Sequence, residues 1–368
     1  MAKPQIFLLI PSFQRNDAVG NDALGMYGFL KNAGYDAHLM AEHIHPSYKS
    51  ITTSPAPEGD ARWQDPNAII IYHHAIQWDL GESILRRSKN RIVIKYHNVT
   101  PPEFFAPYAE HYYLACINGV EATKRLARLR IDFVWGASRF NADEFMRLGV
   151  AAERCRVVPP IHRVEDLGRS PLDAVVSGQY RDHRRNILFV GAFRPNKGHF
   201  KALEVFAAYR LLGGRPARLL FAGSYDTSLH RYIKELEEYA RYLEVDDGLS
   251  ICTSVSGPQL RSLYSLADVF LCVSEHEGFC VPLVEAMYFR TPIIAWASTA
   301  ISETCDGCGL VHTEFKAEAL AQDIESCMEN PVLSRKLALE GRKRYETAFC
   351  PDVIGAKFLS LVEEVERL

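Results

Sequence analysis

Short apolar runs rich in branched residues alternate along this chain with longer stretches of helical amphipathic pattern. In the first half the runs are Ile6–Ile10, Ala37–Met40, Ala68–Tyr72, Ile92–Tyr96, Phe133–Ala137 and Cys155–Pro159. In the second half they are Asn186–Gly191, Arg218–Gly223, Leu249–Cys252, Asp268–Ser274, Pro292–Trp296 and Gly309–His312. Between them, stretches such as His230–Glu244 and Pro258–Ala267 read as helices. Strands separated by helices in this way predict parallel α/β architecture.

The rhythm breaks once. Residues 163–186 carry charges, Gly, Ser and Pro without a clear period, which predicts a linker over 166–185. That divides the chain into a first domain over 1–165 and a second over 186–349, with a final helix, about 350–368, expected to pack back on the first. Two doubly wound halves are expected, with ligand at the carboxyl ends of their strands.

The 368 residues suit two domains, and 48% hydrophobic with 24% charged residues is ordinary globular composition. A formal charge of −3 gives no bulk attraction to nucleic acid, so no nucleic-acid partner is expected. Nine cysteines without framework spacing predict buried thiols in a reducing compartment. The apolar run before Pro11 is too short for a signal-peptide core, and no run is long enough to span a membrane. A cytoplasmic location is the expectation.

The candidate chemistry lies in "SEHEGFCVPLVEAM", between two apolar runs. Gly278 permits close approach to the backbone, and Pro282 suits the first turn of a helix. The start of that helix offers unpaired N–H groups and partial positive charge to an anion. Glu277 and Glu285 bracket the loop, and carboxylates accept hydrogen bonds from sugar and ribose hydroxyls. The set suits a nucleotide sugar; on spacing alone two solvated glutamates on an ordinary loop are the commoner case.

Glu277 and Glu285 in "EGFCVPLVEAM" resemble the E-x7-E signature of retaining GT-B glycosyltransferases, family GT4, also called glycosyl transferases group 1. "NILFVGAFRPNKGH", "GPQLRSLYSLADVFLCVSE", "TPIIAW" and "GLV" resemble further family segments in the same order, as do "FVWGASRF" and "RVVPP" in the first half. The match is good over about 130–312 and weak before it. The resemblance implies a GT-B fold, with two Rossmann-like domains facing across a cleft. It implies sugar transfer from a UDP- or GDP-linked donor to a saccharide or lipid-linked saccharide acceptor, with retention of configuration. Glu277 then lies at the donor sugar and Glu285 at the ribose, while the N–H groups of Gly278, Phe279 and Cys280 bind sugar hydroxyls and diphosphate. Cys280 stands where Gly is commoner. Lys197 matches the lysine that meets the diphosphate. An arginine usual in the family is replaced by Ala192, and Arg194 is the candidate substitute.

In the first half, His97 resembles the histidine near the anomeric carbon, so His97, Glu277 and Lys197 form the expected catalytic set. His73 and His74 follow a strand and are expected on the acceptor side with Asn21, while Gly20 resembles part of a Gly-Gly turn that touches the donor. No Asp-x-Asp motif occurs, so no metal or other cofactor is expected, Lys197 and a helix N-terminus taking a metal's place. Other readings are a nucleotide-sugar epimerase or hydrolase of the same architecture, or a non-catalytic binding module. Cys305-x-x-Cys308 with His312 lacks a second pair of ligands for zinc. The basic run at Lys124, Arg125 and Arg128 allows peripheral contact with an anionic membrane, a solvated helix face being the plainer reading.

Overall fold

The structure, a computed structural model, describes residues 3–14, 17–56 and 60–368. It divides into two compact units, one of residues 1–102, 111–162 and 350–368 and one of residues 103–110 and 163–349.

The first unit is built on β1 (Gln5–Phe13), β2 (Asp36–Ile44), β3 (Thr52–Thr53), β4 (Ile69–His74), β5 (Arg91–Tyr96), β6 (Phe133–Gly136) and β7 (Cys155–Val157). All pairings are parallel, in the order β3-β2-β1-β4-β5-β6-β7. The six residues of β4 are buried without exception. That explains why these strands read as continuous apolar runs rather than alternating ones. Helix Pro351–Glu366 lies in this unit, where Phe358 meets Trp135 edge to face at 5.9 Å and Gly355 lies against the Phe29 ring.

The second unit carries β8 (Arg185–Val190), β9 (Ala217–Gly223), β10 (Leu249–Thr253), β11 (Val269–Cys272), β12 (Ile293–Trp296) and β13 (Leu310–His312). These are also all parallel, ordered β10-β9-β8-β11-β12-β13. Both sheets therefore reverse their winding once, between β1 and β4 and between β8 and β11. In open parallel sheets ligands bind beyond the carboxyl ends of the strands at that reversal.

The stretch expected as a linker is structured. It holds helices Val164–Arg169 and Ala174–Tyr180, both within the second unit. Asp173 caps the latter by accepting from the Val176 N–H at 2.9 Å. Ser262 Oγ accepts from the Asp173 N–H at 2.8 Å, and Gly168 leaves room for the Tyr288 ring. These helices are too short and too polar to show a period, and their stability comes from docking.

Candidate functional site

In the second unit the loops after β8 and β11 are locked together at the reversal. The Asn196 carbonyl accepts from the N–H groups of Glu275 at 2.9 Å and His276 at 3.2 Å, and its side-chain amide donates to the His276 carbonyl at 3.0 Å. Gly198 makes this approach possible: it has φ 77°, and a Cβ there would stand 2.0 Å from the Val273 carbonyl oxygen. Ser298 Oγ donates to the Ser274 carbonyl and the Glu277 N–H donates to Thr299 Oγ1, so the loop after β12 braces the same segment.

This bracing brings Lys197 to Glu277. Its ammonium donates to both carboxylate oxygens, at 2.8 and 2.9 Å. Glu277 is 7% exposed, while the Lys197 side chain keeps 22%. Burial works against the Lys197 charge, but the Glu277 carboxylate overrides it and holds the ammonium above its ordinary pKa. Arg194 is exposed and close enough for its charge to oppose that of Lys197. A cation and a carboxylate thus meet at the strand ends of β8 and β11, with the Arg194 charge in range of them.

Helix Val281–Phe289 starts from the same loop, with Pro282 in its first turn. Among the described residues, nothing accepts from the N–H groups of Gly278, Phe279 or Cys280. Cys280 has φ 77° and ψ 76°, a conformation that suits Gly better than a residue with a Cβ. Its thiol lies 3.8 Å from Cys272 Sγ; that contact, together with burial, pushes its pKa well above the usual value. It is thus an inert, packed thiol. Phe279 contributes only its backbone, because its ring is buried against Phe349 at 5.5 Å. Glu285 is partly exposed and accepts from Tyr264 Oη at 2.7 Å. Desolvation lifts its carboxyl to about 7, although the tyrosine bond acts the other way. Among the described residues no ion pair is formed by Glu285, so desolvation of its carboxylate is offset only by the tyrosine hydrogen bond.

The first unit holds a second constellation. His97 follows β5, and its Nε2 lies 2.9 Å from His73 Nδ1 and 3.6 Å from Asp22 Oδ2. Lys95, fully buried, places its ammonium 3.7 Å from the same Asp22 oxygen and donates to the Val158 carbonyl at 2.7 Å. The Ile161 N–H donates to Asp22 Oδ1 at 2.7 Å. Burial raises Asp22 to about 6, against the pull of Lys95, and lowers His73 to about 3 and His97 well below its usual value. One ligand atom each from Asp22, His73 and His97 fall within 4.8 Å of one another, a spacing that could hold a metal ion. The Lys95 ammonium already supplies positive charge to that carboxylate.

Sequence reasoning missed Asp22 and Lys95. The signal was a lysine inside the apolar strand "IVIKY", since a buried lysine demands a buried anion. Three first-unit assignments need correction. His74 is fully buried on the opposite face of β4 from His73, with Nε2 2.7 Å from Thr123 Oγ1, so strand alternation makes it a core histidine. His73 is also buried, at 1% exposure, and lies beneath His97 rather than on an open acceptor surface. The Gly20 N–H is taken by the Asp17 carboxylate at 2.8 Å, which caps helix Ala18–Asn32 and removes that donor from any ligand. Asn21, partly exposed, donates its N–H to the Asp17 carbonyl at 2.8 Å. The basic run is also spoken for in part: Lys124 pairs with Glu121 at 2.7 Å, and Arg125 with Glu82 at 2.7 Å. Cys305 and Cys308 are buried free thiols, and His312 bonds to Asp323 at 2.6 Å. Among the described residues no helix is long and apolar enough to cross a membrane.

Residues 176–344 match the glycosyl transferases group 1 family. The matched stretch contains Lys197, the Glu277–Cys280 loop and Glu285. The MMP alpha-(1->4)-mannosyltransferase of Mycolicibacterium hassiacum is 26% identical over 249 residues, 67% of this chain and 57% of that protein. The GDP-mannose:cellobiosyl-diphosphopolyprenol alpha-mannosyltransferase of Xanthomonas oryzae pv. oryzae is 30% identical over 219 residues, 58% of this chain and 54% of that protein. The chain thus spans little more than half the length of these curated relatives. Anabaena HepE, solved with UDP and glucose, superposes with a TM-score of 0.74 over 98% of this chain and 100% of that one, at 16% identity. At that identity the likeness is one of fold, and the fold is GT-B.

Proposed function

We propose that this protein transfers a hexose from a UDP- or GDP-linked donor to a hydroxyl of a saccharide or lipid-linked saccharide, retaining anomeric configuration and using Lys197 where other enzymes use a metal ion. One observation carries the reading: the Lys197–Glu277 pair at the reversal between β8 and β11, where a parallel sheet receives its ligand. The family match and the relatives' names support the same class of reaction.

In this scheme the diphosphate displaces the Glu277 carboxylate from Lys197, and the N–H groups of Gly278, Phe279 and Cys280 complete its cradle. Glu277, released, accepts from hydroxyls of the donor sugar; Glu285 accepts from the ribose. In the first unit His97 meets a hydroxyl of a substrate. The bond from the anomeric carbon to the diphosphate oxygen breaks as the bond to the acceptor oxygen forms on the same face. The acceptor's proton passes to the departing phosphate oxygen. Lys197 offsets the negative charge that grows on the diphosphate, and Arg194 helps to hold the bound diphosphate, so the scheme requires no divalent ion.

The test is incubation with UDP- and GDP-hexoses in excess EDTA, with NMR of the released or transferred sugar. One donor is expected to yield nucleoside diphosphate and a product of unchanged anomeric configuration. Turnover only with added divalent metal, or with inversion, would contradict the scheme.

A further inference from the structure

The environment of His97 decides which of its nitrogens can face a substrate, and that environment is built from residues no motif includes. His97 Nε2 points inward, 2.9 Å from His73 Nδ1 and 3.6 Å from Asp22 Oδ2. The two histidines stack with ring centroids 5.2 Å apart and planes 17° from parallel. Two proton arrangements satisfy the contact between them: His73 donates from Nδ1, or His97 donates from Nε2.

Asp22 separates these arrangements. Its Oδ1 is fixed by the Ile161 N–H at 2.7 Å, while Oδ2 is buried with no hydrogen-bond partner. Lys95, held by the Val158 carbonyl, stands 3.7 Å from Oδ2, which maintains a carboxylate there. An oxygen carrying negative charge beside His97 Nε2 favours an N–H at that nitrogen and disfavours a lone pair. The opposing cost is a proton on His73 Nε2, which is buried without a partner. The formal charge on Asp22 outweighs a single unpaired neutral donor.

On the reading that His97 meets a substrate hydroxyl, we propose that Asp22 is a positioning residue which keeps the His97 proton on Nε2 and leaves Nδ1 as an acceptor for that hydroxyl. Lys95 serves the same arrangement by keeping Asp22 in place. His73 is the stacked spacer that receives the Nε2 proton's hydrogen bond and excludes water from it. A histidine presenting a lone pair discriminates in favour of a hydroxyl, which can donate, and against a ligand that offers only acceptors.

The test reads the tautomer directly, from long-range proton–nitrogen correlation of 15N-histidine-labelled full-length protein at pH 8, with the His97 signals assigned by their loss in His97→Gln. The wild-type protein is expected to show a protonated Nε2 and a bare Nδ1. Asp22→Asn is expected to shift the population toward protonated Nδ1, whereas His73→Phe, which keeps a stacked ring, is expected to leave Nε2 protonated. A wild-type His97 protonated at Nδ1 would overturn the proposal without any variant. So would an unchanged tautomer in Asp22→Asn, or a switch in His73→Phe. With the best donor, Asp22→Asn is expected to lower kcat by about tenfold or more while leaving donor KM within about threefold. An equal loss in stability-matched kcat and KM would point to a structural role. Should wild-type protein turn over no donor at all, the transferase reading falls while the nitrogen spectrum still decides the tautomer.

Discussion

Lys197 meets Glu277 in the free protein and, in the proposed complex, the diphosphate in its place. Lys197→Ala should therefore cost roughly two to three orders of magnitude in kcat, the usual scale for removing a group that stabilises developing charge. Arg194, exposed and screened, should matter less: Arg194→Ala is expected to raise donor KM by about threefold with kcat largely kept. Steady-state kinetics on both variants check the contrast. Glu285 makes a prediction with a sign. Its folded pKa of about 7 lies above the ordinary 4.5, so between those values the native state holds a proton that the unfolded chain has released. Its contribution to stability falls as pH rises through that window and is flat above it. Glu285→Gln should then melt higher than wild type at pH 8 and lose that advantage toward pH 5. Donor binding should run the other way. Hydroxyls donate to the ionised carboxylate, so calorimetry should show wild-type affinity weakening roughly three- to tenfold from pH 8 to pH 6, and no such trend in Glu285→Gln.

The loop before helix Val281–Phe289 holds Cys280 in a positive-φ conformation, while its side chain fills a buried space beside Cys272. Cys280→Gly and Cys280→Ala both remove the sulfur, but only Gly relieves the backbone. Chemical denaturation should find the Gly variant more stable than the Ala variant by about 1 kcal/mol. The same loop shows what sequence pattern can convey. Ile6–Ile10 lies on a strand, and Ala68–Tyr72 and Asp268–Ser274 overlap strands, because both faces of a parallel strand must be apolar. The two-residue β3 left no such trace, and helix Ala174–Tyr180 was hidden because docking rather than period stabilises it. Lys197, Glu277 and Glu285 were legible because one loop or one helix turn carries each. Asp22 and Lys95 meet only through the fold. His74 was misplaced because adjacent residues on a strand point to opposite faces, so the presence of two histidines says nothing of which one is presented.

At the scale of the whole chain, each unit has its own sheet and its own constellation of charged groups. The C-terminal helix belongs to the first unit, where Phe358 is fully buried. Phe358→Ala should destabilise that unit by about 3–5 kcal/mol, as large core truncations do, and leave nucleoside diphosphate affinity in the second unit unchanged. Calorimetric melting with and without nucleotide separates the two effects. The most direct test of the central claim, that Lys197 and the adjoining loop hold a diphosphate without a metal ion, is isothermal titration of UDP and GDP into wild-type and Lys197→Ala protein in excess EDTA. The claim predicts that one nucleotide binds the wild type and that its affinity drops at least about tenfold in the variant. Equal affinity in both proteins, or binding that appears only when a divalent metal is added, would contradict it.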